Sequence, residues 1–167
     1  MNTKLTKDKA IKLSNEIVKK MNKYSCAKIN SSNTDIIYTN IDANDNCRYD
    51  SYKKKNIIRL NIECPLDEFL RKLVHEFRHA QQNILYYEFY LNQKHIKDIH
   101  NDVEQWREVF ENHDLYHELE CSIEVDAYAY TCFFFKKYKE YSVFIDENNI
   151  CNKNVLLVLN EITKYIC

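Results

Sequence analysis

The chain has 167 residues, of which 45% are hydrophobic and 29% are charged, and its formal net charge at pH 7 is −1. The length suits one domain with a buried core. The nearly balanced charge gives no electrostatic reason to expect a nucleic acid or an anionic membrane as a partner. No stretch reaches the roughly 18 apolar residues of a membrane helix, and the first residues lack the apolar run of a signal peptide. We therefore expect one cytoplasmic domain over 1–167.

The chain contains seven cysteines and no glycine. The number of cysteines is odd, no two form a CxxC pair and no export signal is present, so we expect reduced, mostly buried thiols. A cysteine-based zinc knuckle is the less favoured alternative. Because glycine is absent, left-handed turn positions should fall to Asn and Asp. The segments 42–47 and 146–149 are where we expect them.

The first predicted element is an amphipathic helix over 6–24, with Thr6 as its N-terminal cap. Two segments rich in β-branched residues, 35–41 and 55–63, predict strands on either side of an Asn/Asp-rich loop. Pro65 follows the second strand at once, and proline suits the first turn of a helix. The next helix is predicted over 66–90.

Apolar residues recur along one face of that helix, and three more helical segments follow it. The apolar face consists of Phe69, Leu73, Phe77 and Ile84. The later helices are predicted over 102–112, 114–138 and 153–166. A helix, a short sheet and then several helices indicate an α+β domain that is mainly helical.

Residues 73–82 read LVHEFRHAQQ and contain two histidines four positions apart, His75 and His79, with Glu76 directly after the first. Residues four apart share a helix face, so the two imidazoles can bind one zinc ion through one nitrogen each. A carboxylate after the first histidine can take a proton from a water on the metal and pass it to a leaving amine. The segment predicts a hydrolytic site with metal ligands His75 and His79 and catalytic Glu76. A helix that carries these residues by chance is the alternative.

A catalytic zinc ion also requires a third protein ligand. The segment 117–130, HELECSIEVDAYAY, places His117, Glu120 and Glu124 on one face of a predicted helix. An acidic side that simply faces solvent would have the same pattern. The need for an acidic partner favours a ligand in this segment over that alternative.

LVHEFRHAQQ followed by EVDAYAY resembles the zincin metallopeptidases, most closely the gluzincins and small bacterial or phage zincin-like proteins. In several gluzincin patterns a small residue lies three positions after the ligand glutamate, and in many an acid lies four positions after it. Glu124 has Ala127 at the first position and Tyr128 at the second, whereas Glu120 has Ile123 and then Glu124. The resemblance therefore implies Glu124 as third metal ligand, with Glu120 as the alternative.

The same resemblance implies roles for other residues. Asp126 is a candidate acceptor for the N–H of a ligand histidine. His117 would help to stabilise the oxyanion as a second catalytic residue, with Tyr116 and Tyr128 as alternatives. The strand 56–62 would form the edge of the sheet and pair with an extended peptide.

The implied protein is a zinc metallopeptidase of zincin-like fold, a hydrolase that binds one Zn²⁺ per chain and acts on a peptide or protein substrate as an endopeptidase. No nucleic acid or membrane partner is expected, and the oligomeric state is left open. A catalytically inactive protein that uses the same fold as a binding or regulatory module retains every motif residue, so it stays as an alternative.

Overall fold

The computed structural model describes residues 5–40, 46–90, 122–144 and 152–166. Within these ranges the chain forms four α-helices and a three-stranded sheet, which confirms the α+β class. A π-helical turn, Leu85–Tyr90, continues the second α-helix, and a 3₁₀-helix, Lys139–Phe144, follows the third. The elements are α1 (Lys7–Met21), β1 (Thr34–Thr39), β2 (Asn46–Asp50), β3 (Lys55–Asn61), α2 (Leu66–Ile84), α3 (Ser122–Lys137) and α4 (Lys153–Ile166).

The helix starts follow the capping signals in the sequence. The Thr6 hydroxyl accepts a hydrogen bond from the Lys9 N–H at 3.3 Å, as the cap prediction requires. Pro65 directly precedes α2, and its carbonyl accepts the Phe69 N–H at 2.9 Å. The predicted helix over 102–112 lies outside the described residues, and no described helix is long and apolar enough to cross a membrane.

The sheet has the strand order β1–β3–β2, with β3 parallel to β1 and antiparallel to β2. Ile58 in β3 lies opposite Ile36 on one side and Cys47 on the other. The prediction that 56–62 forms the sheet edge is therefore wrong, because β3 is hydrogen-bonded on both sides. β2 was not predicted, and it takes one of the two edges.

A tight turn over 51–54 joins β2 to β3. Its last residue, Lys54, has φ 51°, and it is the one left-handed residue in the part of the chain that is described. The expected positions of such residues at 42–47 and 146–149 lie largely outside the described ranges. At this turn, the expectation that Asn or Asp would take the left-handed position is wrong.

Helix α2 lies between the sheet and α3, and α3 packs in turn against α4. The predicted inward face of α2 is confirmed, since Phe69, Leu73 and Phe77 are fully buried. Helix α3 is apolar almost all round and is buried at Ala127 and Tyr130, as expected for an interior helix. This packing brings the motif on α2 against the start of α3.

The four cysteines in the described ranges are not joined in disulfide bonds. Cys132 is buried, Cys47 and Cys64 are half-buried and Cys26 is exposed. The expectation that most thiols are buried is therefore wrong for these four. Two of them contact polar groups in the interior rather than other cysteines, with Cys47 near Asn83 and Cys64 near the Asn61 carbonyl.

Candidate metal centre

Three predicted ligands meet where α2 packs on α3. The Nε2 atoms of His75 and His79, one turn apart on α2, lie 3.0 Å from each other. Glu124, in the first turn of α3, places Oε2 at 3.1 Å from His75 Nε2 and Oε1 at 3.2 Å from His79 Nε2. The carboxylate therefore faces both imidazoles at once, as the prediction of Glu124 as their partner requires.

The spacing of these donor atoms fits a small metal ion. Bonds of about 2.0–2.2 Å in tetrahedral geometry separate ligand atoms by about 3.3–3.6 Å, slightly more than the distances in this cluster. The three side chains form the one group of potential metal ligands found among the described residues, with all ligand atoms within 4.8 Å of one another. Two imidazoles and a carboxylate suit zinc, and they also suit other divalent transition metals.

The cluster is shielded from water without being sealed. The side chains of His75, His79 and Glu124 are 15%, 12% and 16% exposed. The His75 ring contacts the Tyr128 ring with centroids 4.6 Å apart, and it meets the His79 ring edge-on at the same distance. His75 Nδ1 is buried and has no hydrogen-bond partner in the described part of the chain. His75 is thus positioned by the packing of its ring and by the contact of its Nε2 with Glu124.

The charges in the cluster oppose the effect of burial. For His79, burial acts to lower the pKa, but Glu124, Glu76 and the hydrogen bond to Gln82 together raise the pKa to about 9. For Glu124, burial acts to raise the pKa, but the two histidines hold the pKa well below its usual range. In the metal-free protein, His79 and Glu124 therefore form an ion pair at neutral pH.

A second layer of polar side chains lies behind His79. The Nδ1 atom of His79 is 2.7 Å from Oε1 of Gln82, whose Nε2 donates to Asp126 at 2.6 Å and to the Ile123 carbonyl at 2.8 Å. Arg78 donates to both Asp126 oxygens, at 2.6 and 3.3 Å. The role predicted for Asp126 is corrected, because the oxygen next to the ligand histidine belongs to Gln82 and Asp126 lies behind it.

Gln82 was not predicted as part of the site, although its spacing from His79 is a signal in the sequence. Gln82 follows His79 by three positions on one helix, a spacing at which side chains are neighbours. It lies inside the quoted segment LVHEFRHAQQ, and it is fully buried. A buried amide beside a ligand histidine is a candidate for orienting the ring.

Glu76, the predicted general base, directly follows His75 on α2 and is 7% exposed. Its charge contributes to the raised pKa of His79. It also contributes, after the larger effect of burial, to raising the pKa of the Cys47 thiol on β2. The charge of the Glu76 carboxylate therefore affects both the His79 ring and the Cys47 thiol.

The other predicted catalytic residues fall into two groups. Tyr128 is described, and it lies against His75. His117, Tyr116 and the alternative ligand Glu120 lie outside the described residues, so their roles stay predictions.

The chain matches no protein-family model, no curated protein and no solved structure with which it was compared.

Proposed function

We propose that the chain is a zinc-dependent metallopeptidase that hydrolyses peptide bonds, with His75, His79 and Glu124 as metal ligands and Glu76 as general base. The observation that supports this most strongly is the convergence of three side chains from two helices, with their nitrogen and oxygen atoms 3.0–3.2 Å apart. A core gains little from such a grouping, because buried charged groups are costly to remove from water. A divalent ion makes the grouping favourable and gives Glu76 a reaction to assist.

The proposed chemistry divides between the ion and the chain. When bound, zinc supplies Lewis acidity toward a peptide carbonyl and toward water. Glu76 takes a proton from the attacking water and delivers it to the leaving amine. Tyr128 lies beside His75. Together with His117, it is a candidate hydrogen-bond donor to the carbonyl oxygen of the peptide bond that is hydrolysed.

The strand that binds an extended substrate is proposed to be β2 instead of β3. β2 pairs with β3 on one side, and no described strand lies on its other side. It packs against α2, and Asn83 on that helix donates to Cys47 Sγ at 3.8 Å. The charge of Glu76 contributes to the raised pKa of Cys47, which is a residue of β2. We therefore expect a peptide added to the outer edge of β2 to pass near the general base.

The metal is tested first, on the purified full-length chain. We expect about one zinc per chain, and we expect the double substitution His75→Ala/His79→Ala to remove most of it. Zinc content is measured by elemental analysis after dialysis. Unchanged zinc content in the double variant would show that the metal binds elsewhere, and the cysteines would then be the next candidate ligands.

The reaction is tested with Glu76→Gln and an unfolded protein substrate. Removing the proton acceptor should lower the rate about 10²–10⁴-fold while zinc content and fold stay the same. Glu68→Gln is the matched control, since Glu68 lies on the same helix and pairs with Lys72 at 2.8 Å. A wild-type chain that binds zinc but hydrolyses nothing would support the binding or regulatory module instead.

A further inference from the structure

Gln82 is held by two groups that only accept hydrogen bonds. Its Nε2 lies 2.6 Å from Asp126 Oδ2 and 2.8 Å from the Ile123 carbonyl. A carbonyl cannot donate, and both Asp126 oxygens already accept N–H groups of Arg78. The amide NH₂ of Gln82 must therefore point at Asp126 and Ile123. Its Oε1 is left to face His79.

This orientation decides which ring nitrogen of His79 carries a proton. Gln82 Oε1 can only accept, so His79 Nδ1 donates across the 2.7 Å contact. The neutral ring then has its lone pair on Nε2, the atom that faces His75 and Glu124. Without such a partner, a neutral imidazole can hold its proton on either nitrogen, and a protonated nitrogen cannot bind a metal.

We infer that Arg78, Asp126 and Gln82 form a relay that presets His79 for coordination through Nε2. Gln82 is the positioning residue that touches the ring, and Asp126 and Arg78 keep Gln82 in its orientation. The inference rests on the metal site proposed above. It adds that the hydrogen bonds between α2 and α3 also orient the His79 ring.

An amide is the side chain that this position requires. One end must accept from His79 and the other must donate to Asp126. Glutamate would place a second carboxylate against Asp126, and methionine would leave Asp126 and His79 Nδ1 each without this partner. Either substitution would therefore interrupt the hydrogen bonds that connect Asp126 to His79.

Gln81 is a matched control for Gln82. The two are adjacent on α2, and both are fully buried. The hydrogen bonds of Gln81 go to the Ala27 carbonyl at 3.3 Å and to Arg78 Nη1 at 3.4 Å. The same substitution at the two positions thus removes the same buried amide, but only one of the two amides contacts a ligand histidine.

The first test compares Gln82→Met with Gln81→Met in the full-length chain, by competition for zinc with a chromophoric chelator. We expect Gln82→Met to weaken zinc binding about 10–100-fold and Gln81→Met to weaken it by less than that range. Thermal unfolding of the metal-free variants measures the structural cost of each substitution separately. Equal loss of affinity in the two variants, or none in Gln82→Met, would overturn the relay.

The second test needs no bound metal. Long-range ¹H–¹⁵N correlation spectra of the chain with ¹⁵N-labelled histidine, recorded at about pH 10 so that His79, with its pKa of about 9, is neutral, show which ring nitrogen carries the remaining proton. We expect that proton on Nδ1 in the wild type and in Gln81→Met, and a mixture of the two tautomers in Gln82→Met. A wild-type His79 without a proton on Nδ1 overturns the relay, even if Gln82→Met fails to fold. If the chain binds no zinc, the proposed function is wrong. The spectrum of the metal-free chain still tests the relay in that case.

Discussion

Arg78 and Asp126 form an ion pair that is closed to water. The Arg78 Nε lies 2.6 Å from Asp126 Oδ2, and the two side chains are 0% and 1% exposed. The guanidinium also lies over the Tyr130 ring, 4.9 Å from its centroid. Because neither charge can reach solvent, each depends on the other.

Removing one partner of this pair should destabilise the fold strongly. Asp126→Ala should lower the free energy of unfolding by about 3–5 kcal/mol, because it leaves the Arg78 guanidinium buried without its counter-charge. The double variant Arg78→Met/Asp126→Leu should lose much less than the sum of the single changes. Urea unfolding of the metal-free chain measures all three variants.

The control for that experiment is an exposed ion pair. Lys55 and Asp35 lie 2.9 Å apart with side chains 28% and 49% exposed. Asp35→Ala should change the free energy of unfolding by at most about 1 kcal/mol. If Asp126→Ala is no more destabilised than Asp35→Ala, the buried Arg78 does not depend on Asp126 for its stability.

The two candidate third ligands should differ in their effect on zinc binding. Glu124 faces both histidines, so Glu124→Ala should weaken zinc binding far more than Glu120→Ala. Glu120→Ala should cost about 10–100-fold at most, the effect of a residue that only supports a ligand. Competition with a chelator measures both, and the reverse order would assign the metal to the other glutamate.

Zinc binding near pH 7 should release a proton. His79 has its pKa raised to about 9 in the metal-free chain, so it must lose a proton before it can bind a metal. Titration calorimetry in two buffers of different ionisation enthalpy should show about one proton released per zinc at pH 7. The released amount should fall toward zero above pH 9. No dependence on the buffer at pH 7 would contradict this.

The same shifts predict how the stability of the metal-free chain varies with pH. The folded-state pKa of His79 is raised from 6.5, so its contribution is complete below pH 6.5 and is lost as pH rises through about 9. The pKa of Glu124 is lowered from 4.5, so its contribution is present above that value and is lost as pH falls further. The contribution of the cluster should therefore be greatest at pH 4.5–6.5, and Glu124→Gln should remove this dependence in urea unfolding.

A separate cluster should make the fold sensitive to alkali. Lys20 donates to Glu140 at 2.6 Å and to Glu16 at 3.0 Å, and the Tyr141 hydroxyl donates to Glu16 at 2.6 Å. Burial lowers the Lys20 pKa, but these partners outweigh it and raise the pKa above its usual range. Burial and Glu16 raise the pKa of Tyr141.

Groups with raised pKa values lose their contribution to stability as pH rises above their unfolded values, here above about 10. Tyr141→Phe removes two hydrogen bonds, the one donated to Glu16 and the one accepted from Lys20 at 3.3 Å. At about 0.5–1.5 kcal/mol each, this should cost about 1–3 kcal/mol at pH 7, and it should reduce the loss of stability between pH 9 and 11. Tyr52→Phe is the control, because Tyr52 is 96% exposed. If both variants show the same loss toward pH 11 as the wild type, the cluster is not the cause.

The elements with a clear period could be predicted from the sequence, and so could the convergence of the three candidate ligands that they carry. His75 and His79 share a helix face by spacing alone, and Glu124 follows from the need for an acid on a neighbouring helix. β2 was not predicted, because Asn46–Asp50 offers only two alternating less polar residues, Cys47 and Tyr49, and follows directly on an Asn/Asp-rich segment that predicts a loop; its pairing with β3 makes it a strand. The edge assignment of β3 was wrong for the same reason.

Gln82 was missed because its role depends on a distant residue. The amide contacts His79 three positions away, but its orientation is set by Asp126, which is 44 positions away on another helix. A single sequence shows that the residue is polar and leaves its partner unknown. The structure supplies the missing relationship between the two helices.

The packing of α2 on α3 also has a consequence for the charge of the interior. Glu76, Glu124 and Asp126 are three carboxylates, and Arg78 is the one guanidinium among them, so with neutral histidines their formal charges amount to −2. A divalent ion at the histidine pair would offset the formal charge of these four described side chains. A monovalent ion would leave a buried negative charge, which the surrounding apolar side chains cannot solvate. The ion would thus act as the counter-charge of the helix pair, and a chain that loses it would have to take up protons or admit water between the helices.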